Sequence, residues 1–299
     1  MADVALNLAL AKSFWTQAIL DGSVTARGVA LNAFAVDVPH RRHTGMRDGI
    51  YDAAEKGYSG FLRERALGEG YPQLSLPLWL NRGLRHKNIV TRKGSRITDL
   101  SDLKGGRIGS VHYSATTNIW ARQALSDYGV HIHDATWVVT EHDEVSRTAD
   151  APIEVAGAGD STSIRTLWPL LARDELDAVI SPGFNWFYAT FNTFAQGMGD
   201  GKRTGGSSLS GEFQGQIDSL ITDPEVCLAY VRRTKIFPLI HSVTIKQDLY
   251  ERNPWLGESL VDMFREARRL APNYMTASDL DLMERAGGRW LRPLRAALE

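Results

Sequence analysis

The sequence predicts an α/β fold with a largely parallel sheet. Short apolar runs with the two-residue alternation of strands recur along the 299-residue chain, and segments with helical periodicity separate them. Strands that alternate with helices are typical of parallel sheets. Hydrophobic residues make up 43% of the chain, which is enough for packed cores, and the length corresponds to about two domains.

The predicted elements follow one another closely. Ser13 is a suitable N-cap and Gly22 a suitable stop for the first helix, and Pro77 places its strand at a sheet edge or makes it irregular. A later helix carries Trp120 and Ala124 on one face. In order, the sequence predicts a strand at 4–10, a helix at 13–22, a strand at 28–36, a helix at 59–67, strands at 74–80 and 89–90, a short helix at 99–104, a strand at 107–109, a helix at 116–128, and strands at 137–139 and 178–180 with a helix between them.

The remaining chain contains two irregular stretches and a final pair of elements. Residues 141–160 predict a solvated loop, and the Gly/Ser-rich residues 196–216 predict a mobile connection. A strand is expected at 235–245. Asn253 and Pro254 are suitable for the N-cap and first turn of the next helix. The inward face of this helix is expected to carry Leu256, Leu260, Phe264 and Ala267.

Composition and charge exclude several classes of protein. Lys and Arg (34) balance Asp and Glu (35), and the net charge of −1 argues against a protein that wraps nucleic acid. No run reaches the ~20 apolar residues that span a bilayer, and no basic residue precedes Lys12, as a signal peptide would require. We therefore expect a cytoplasmic protein without nucleic-acid or membrane partners. The single Cys227 excludes an internal disulfide and is expected to be buried.

Two pairs of closely spaced histidines are candidates for metal ligands. They are His131 with His133, and His40 with His43. Because neither pair has a clear third ligand nearby, we expect these histidines at the surface. The sequence predicts no cofactor, although it leaves a divalent metal open.

The strongest electrostatic signal is the stretch 70–98, which contains no acidic residue and six cationic side chains. Two of these, Arg82 and Arg85, come just after an apolar run, at the predicted end of a strand. Ligands of open α/β sheets bind at the carboxyl ends of strands, and guanidinium groups bind carboxylates through paired hydrogen bonds. The stretch therefore indicates either a carboxylate site or a solvated basic edge.

A second anion signal lies where a strand joins the helix at 116–128. Helix N-termini present free amides and the positive end of the helix dipole, and small hydroxyl side chains add donors. Ordinary helix capping explains Ser114 as well, so both interpretations stay open. The residues concerned are His112, Ser114, Thr116 and Thr117.

A third candidate is His241, which lies in the apolar segment 237–243. A histidine in this position is either a satisfied core residue or a general acid/base in a dry cleft, where it can exchange protons near neutral pH. Its surroundings in the sequence leave both interpretations open.

Short strings along most of the chain resemble, in order, the 4,5-dihydroxyphthalate decarboxylase family. They are Tyr51–Glu55, Asn81–His86, Asp102–Gly109, Thr116–Arg122, Tyr128–Val130, Glu175–Ala178, Ile236–Val243 and Asn253–Trp255. The resemblance implies a type 2 periplasmic-binding-protein fold, with two α/β lobes and a ligand cleft between them. It implies lobes of residues 1–90 plus 236–299 and of residues 91–235. The sequence leaves a homo-oligomer open.

The resemblance also implies a carboxy-lyase that acts on a hydroxylated aromatic dicarboxylate such as 4,5-dihydroxyphthalate. Under this hypothesis Arg82 and Arg85 bind the carboxylates, with help from the segment that contains His112, Ser114, Thr116 and Thr117. The acid/base candidates are His86 and His241, one of them oriented by Glu55 or Asp52. Two other functions stay open. One is a non-catalytic binding protein for a small anionic ligand, of the ABC-transporter type, and the other is a different lyase or hydrolase acting on a related ring acid.

Overall fold

A computed structural model of the protein describes residues 3–37, 39–156, 164–181, 216–221 and 223–274. These residues form two compact units. The first unit comprises 3–82 and 239–274, and the second comprises the described residues between 83 and 238. The sequence predicted boundaries at 90/91 and 235/236. Each unit has its own sheet, so the α/β fold class is confirmed, although both sheets are mixed where a largely parallel one was expected.

The strands are β1 (Val4–Leu10), β2 (Val29–Ala35), β3 (Ala53–Gly57), β4 (Gln73–Arg82), β5 (Ile89–Arg92), β6 (Arg107–Ser110), β7 (Thr136–Val139), β8 (Ile153–Val155), β9 (Ala178–Ile180), β10 (Ile217–Ser219) and β11 (Leu239–Lys246). The α-helices are α1 (Gln17–Leu20), α2 (Pro39–Arg47), α3 (Tyr58–Leu67), α4 (Thr116–Ser126), α5 (Glu144–Thr148), α6 (Leu167–Ala172), α7 (Pro224–Thr234), α8 (Gln247–Arg252) and α9 (Leu256–Leu270). Short 3-10 helices span His86–Asn88, Leu100–Leu103, Ile164–Thr166 and Ala271–Tyr274.

The first unit is built on a five-stranded sheet of order β2-β1-β3-β11-β4. Strands β1 to β3 run parallel, and β11 lies antiparallel between β3 and β4. The C-terminal ends of β1 to β4 therefore meet the N-terminal end of β11 along one side of the sheet, which we call the C-terminal edge. Helix α9 packs on one face, and the predicted inward residues Leu256, Leu260, Phe264 and Ala267 are all buried there.

The second unit has a six-stranded sheet of order β10-β5-β9-β6-β7-β8. Strands β6 to β9 run parallel, and β5 is antiparallel to both of its neighbours. Two apolar clusters enclose this sheet, one around Trp137 and one around Trp168. The 3-10 helix before β5 and the N-terminus of α4 consequently lie at the edge where β6, β7 and β9 end.

Several local predictions are wrong. The first helix is a single turn at 17–20, and the last predicted strand begins at Leu239. The stretch 141–160 contains α5 and β8, because Asp143 caps α5 by accepting a hydrogen bond from the Ser146 amide at 2.7 Å. Strand β3 and helix α2 were not predicted. The connection expected at 196–216 lies outside the described residues apart from Gln216.

Two smaller expectations are confirmed. Cys227 is buried, and desolvation raises the pKa of its thiol to about 11, which suits a packing residue. His131 and His133 are exposed. Among the helices that the structure describes, none combines the length and the apolar composition needed to cross a membrane.

Candidate active site

His241 and Glu55 form a hydrogen-bonded pair at the C-terminal edge of the first unit. His241 Nδ1 lies 2.5 Å from Glu55 Oε1. The antiparallel register pairs Glu55 with Val243 and Gly57 with His241, so both side chains project from the same face as diagonal neighbours. The fold thus joins two residues that lie 186 positions apart in the chain.

The environment of Glu55 keeps its carboxyl group ionised. Its second oxygen, Oε2, accepts a hydrogen bond from the Ala11 amide at 3.0 Å. Burial alone raises the pKa of Glu55, but the hydrogen bond from His241 and the charge of Arg42 outweigh it, and the pKa falls to about 2. Because a carboxylate can only accept, His241 Nδ1 carries the proton of this bond, and Nε2 is the nitrogen left for a ligand.

Burial divides the pair into an outer and an inner member. The His241 side chain is 24% exposed, whereas the Glu55 side chain is 7% exposed. A ligand can therefore touch the imidazole while the carboxylate stays behind it. This is the arrangement of a proton-exchanging histidine with an orienting carboxylate.

Arg42 fixes the backbone beneath the pair and was missed by the sequence analysis. Its side chain is buried, and its Nε donates to the Glu55 carbonyl oxygen at 2.9 Å, while another of its nitrogens donates to the Val36 carbonyl oxygen. Its signal in the sequence is the four-residue spacing between Arg42 and Met46. This spacing places both side chains on one face of α2, where the structure shows both to be buried.

Lys56 projects from the opposite face of β3, because successive strand residues alternate. Its Nζ lies 2.5 Å from Glu64 Oε2, and Gln73 Nε2 donates to the same oxygen at 2.6 Å. Burial lowers the pKa of Lys56 in spite of its Glu64 partner. This ion pair fastens the second half of α3 to β3, at the residue immediately after Glu55.

His43 also lies beside the end of β3, which makes the expectation of a surface histidine wrong for this residue. It is half-buried, and its Nε2 is fully buried without a hydrogen-bond partner among the described residues. The side chain of His40 lies outside the described residues.

Asp52 is not placed to orient a catalytic histidine, which corrects one of the two alternatives for that position. Its Oδ1 accepts from Lys246 Nζ and its Oδ2 from the Asn7 amide, both at 3.0 Å. Lys246 ends β11, five residues beyond His241, which is about 17 Å along a strand. Asp52 therefore lies at the N-terminal end of β3, whereas His241 lies beside its C-terminal end.

The two arginines expected to bind carboxylates lie in different units. Arg82 ends β4 at the same C-terminal edge as the His241–Glu55 pair and is exposed. Desolvation and the charge of Arg268 lower its pKa. Arg85 belongs to the second unit, where it is buried at the start of the 3-10 helix before β5.

His86 is a buried neutral histidine of the second unit. Its ring contacts Tyr230 edge to face, with the centroids 5.0 Å apart. Burial, helped by the charge of Arg233, lowers the pKa of His86 to about 4. The structure thus gives His86 the environment of a core side chain.

The segment before α4 is held by an internal carboxylate. The backbone amide and the hydroxyl of Ser114 both donate to Asp143 Oδ2 at 2.8 Å. Thr116 and Thr117 open α4 and are buried. His112 Nδ1 lies 3.3 Å from Glu141 Oε1, and both of these side chains are partly exposed. Ser114 therefore does not cap α4, whose N-cap is Ala115 without a side-chain hydrogen bond, and its two donors are already used within the protein.

In the part of the chain that the structure describes, no group of three or more His, Cys, Asp or Glu side chains is arranged to hold a metal ion. Among the described residues of the first unit, His241 and Glu55 are arranged in a way that suits proton transfer.

The fold is that of a known class of two-unit α/β proteins. The alkanesulfonate-binding protein SsuA from Xanthomonas axonopodis pv. citri, bound to MOPS, superimposes with a TM-score of 0.56 at 12% identity, covering 100% of this chain and 84% of that chain. The periplasmic aliphatic sulphonate binding protein SsuA from Escherichia coli gives 0.53 at 13% identity, covering 99% and 83%. These similarities define a protein of the type 2 periplasmic-binding-protein fold.

Sequence similarity identifies the family within that fold class. No protein-family profile matches the chain. A 4,5-dihydroxyphthalate decarboxylase from Pseudomonas putida is 30% identical over 186 residues, which cover 61% of this chain and 72% of that protein. The protein of the same name from Comamonas testosteroni is 27% identical over 276 residues, covering 91% and 77%. The chain belongs to the 4,5-dihydroxyphthalate decarboxylase family and is an enzyme of the carboxy-lyase class.

Proposed function

We propose that the protein removes one carboxylate, as carbon dioxide, from a hydroxylated aromatic dicarboxylate such as 4,5-dihydroxyphthalate. The observation that carries the proposal is the His241–Glu55 pair in a chain of this family. A histidine whose inner nitrogen is bonded to an ionised carboxylate can take up and release a proton at its outer nitrogen. A protein that only binds ligands has no need of such a pair.

In the proposed reaction, a hydroxyl group of the substrate ring supplies the electron density that protonation of the ring carbon requires. A hydroxyl para to the departing carboxylate loses its proton and pushes electron density toward the carbon that carries the carboxylate. That carbon takes up a proton, the bond to the carboxylate breaks, and its electron pair restores the aromatic ring. One proton is consumed at the ring carbon for each carbon dioxide released, and the hydroxyl proton is returned.

His241 is the residue we assign to proton transfer at the ring carbon. In its neutral form Nδ1–H faces Glu55 and Nε2 can accept a proton. Once protonated, the ring is an imidazolium next to an ionised carboxylate, which stabilises the charge until Nε2 delivers the proton. Glu55 is a positioning residue that fixes the ring orientation and the tautomer.

The substrate carboxylates require cationic partners. Arg82 shares the C-terminal edge with His241, and we keep it as a carboxylate-binding residue. For the buried Arg85 and His86 we propose a packing function in the second unit. The predicted contacts of His112, Ser114, Thr116 and Thr117 with substrate stay predictions, although Ser114 would first have to leave Asp143.

Deuterium incorporation tests the chemistry directly. The enzyme is incubated in D₂O with 4,5-dihydroxyphthalate, and release of carbon dioxide and the mass of the aromatic product are followed. We expect one deuterium in the product, at the ring position that lost the carboxylate. Phthalate without hydroxyl groups should bind without turnover, because it lacks the hydroxyl that supplies electrons. Tight binding of hydroxylated dicarboxylates with no turnover of any of them would overturn the proposal in favour of a binding protein.

Two variants test the assigned residues. His241→Gln should lower kcat by about 100-fold or more, the usual contribution of a general acid/base, while substrate binding is kept. The exposed His133→Gln is the matched control and should keep the wild-type rate. A His241→Gln enzyme with the wild-type rate would show that the proton comes from elsewhere.

Two further expectations remain predictions. Exhaustive chelation before the assay should leave the rate unchanged if, as expected, no metal takes part. Cell fractionation tests the expected cytoplasmic location.

A further inference from the structure

Two buried nitrogen atoms of the first unit have no hydrogen-bond partner among the residues that the structure describes, namely His43 Nε2 and Arg63 Nε. Buried polar groups are nearly always paired with protein, ordered water or a ligand. These two nitrogen atoms are therefore able to bind a group that is not part of this chain, either ordered water or a ligand.

Both residues flank the C-terminal end of β3. His43 follows Arg42, whose Nε holds the Glu55 carbonyl oxygen at 2.9 Å, so helix α2 is fixed against this strand. Arg63 lies in α3, which follows β3 without an intervening loop. Both side chains are half-buried, whereas the two nitrogen atoms themselves are fully buried, so a ligand can reach these atoms only if neighbouring side chains move.

The carboxylates nearby are already engaged. Glu55 accepts from His241 on one oxygen and from the Ala11 amide on the other. Glu64 Oε2 accepts from Lys56 and from Gln73. Neither carboxylate pairs with His43 Nε2 or Arg63 Nε.

Positive charge exceeds negative charge in this region. Three cationic residues, Arg42, Lys56 and Arg63, lie in this region together with the two acidic residues Glu55 and Glu64. Burial and the charges of Lys56, Arg42, His241 and Arg63 lower the pKa of His43 to about 3, so this ring stays neutral at physiological pH. A neutral imidazole can donate from Nε2 without adding charge, and it lies within electrostatic reach of His241.

We propose that His43 and Arg63 form a carboxylate subsite that holds the carboxylate retained on the ring during the reaction. This inference rests on the proposed function. A carboxylate has two acceptor oxygens, which suit two separate donors, and a guanidinium Nε–H is a common carboxylate partner. Lys56 supplies background charge only, because its ammonium group is bonded to Glu64.

Binding of phthalate and benzoate tests the subsite without turnover. The two probes differ by one carboxylate, and their dissociation constants are measured by calorimetry for the wild type and the variants. Wild-type protein should prefer phthalate. Arg63→Met and His43→Gln should each reduce that preference by about tenfold or more, while benzoate affinity changes little.

The matched control is Arg65→Met, which removes the same charge from an exposed position of the same helix and should leave the preference unchanged. Arg63→Lys keeps the charge but lacks the Nε donor, so it should also lose most of the preference. Arg63→Lys replaces Arg63→Met as the test variant if Arg63→Met fails to fold.

The outcomes separate this proposal from the proposed function. An undiminished preference for phthalate in the Arg63 and His43 variants, or equal wild-type affinity for both probes, would overturn the subsite and indicate that ordered water fills it. If the variants lose the preference but wild-type enzyme decarboxylates no hydroxylated dicarboxylate, the subsite stands as a binding feature and the proposed reaction fails.

Discussion

The ionised state of Glu55 has a measurable effect on folding stability. A fall in its pKa from 4.5 to about 2 corresponds to about 3 kcal/mol of folding free energy. Because the folded state favours the carboxylate, this contribution is fully present above the unfolded pKa and is lost as pH falls toward 2. Simple linkage gives a loss of about 1.5 kcal/mol between about pH 7 and about pH 3.5.

Glu55→Gln is the variant that exposes this contribution. The amide keeps the size of the side chain but cannot be ionised. Its NH₂ group would also face a hydrogen-bond donor, either the Ala11 amide or His241 Nδ1. We expect the variant to be about 3 kcal/mol less stable than wild type at about pH 7. The difference should shrink by about 1.5 kcal/mol at about pH 3.5.

Urea unfolding followed by tryptophan fluorescence, at both pH values, measures this difference. Glu251→Gln, at an exposed position of α8, is the control and should stay within about 0.5 kcal/mol of wild type at each pH. A Glu55→Gln protein whose deficit is the same at the two pH values, or that matches wild type at neutral pH, would refute the account of an ionised, buried Glu55.

Two further predictions concern the second unit. The pKa of His86 falls from 6.5 to about 4 in the folded state. Acidification from about pH 7 to about pH 5 should therefore lower the free energy of unfolding of the wild type by about 2 kcal/mol more than that of His86→Gln, as measured by urea unfolding. Equal losses in the two proteins would show that the ring is not held neutral. Asp143→Asn should lower the free energy of unfolding by about 1–3 kcal/mol, because an oxygen that accepts from Ser114 or Ser146 becomes a donor. The exposed Asp150→Asn should change it by less than about 0.5 kcal/mol, and a similar effect of both variants would argue against the cap.

Elements with a strong apolar period could be predicted from sequence, whereas the central strand of the first unit could not. The inward face of α9 repeats at helical spacing, and the four residues predicted for it are buried, although the buried Ser259 and Met263 were not predicted. Strand β3 reads Ala-Ala-Glu-Lys-Gly, which has no β-branched or aromatic residue and two adjacent charges. Its strand conformation depends on Glu55 and Lys56 finding partners from distant segments, and local propensity does not report such partners.

The active site likewise has features that the sequence could predict and features that it could not. His241 and Glu55 were each identified as candidates, but their pairing follows from the insertion of β11 beside β3, which no local pattern reveals. His43 was expected at the surface because its histidine pair has no clear third metal ligand in the sequence, and Arg42 was not singled out. Burial of Arg42 is possible only because two main-chain carbonyl groups accept its hydrogen bonds. The sequence alone could not decide whether Asp52 or Glu55 orients the histidine, because the answer depends on the register of β11.

The position of β11 between β3 and β4 also sets the order in which a ribosome can complete the two units. About 10–30 s of synthesis separate Arg82 from Leu239 at ordinary elongation rates. During that time residues 83–238 emerge with every strand of the second sheet, while β3 and β4 wait for the strand that joins them. The nascent first unit carries Glu55 without His241 throughout this interval. Strand β11 is therefore the last strand of the first sheet to be made, and the His241–Glu55 pair can form only after residues 83–238 have been synthesised.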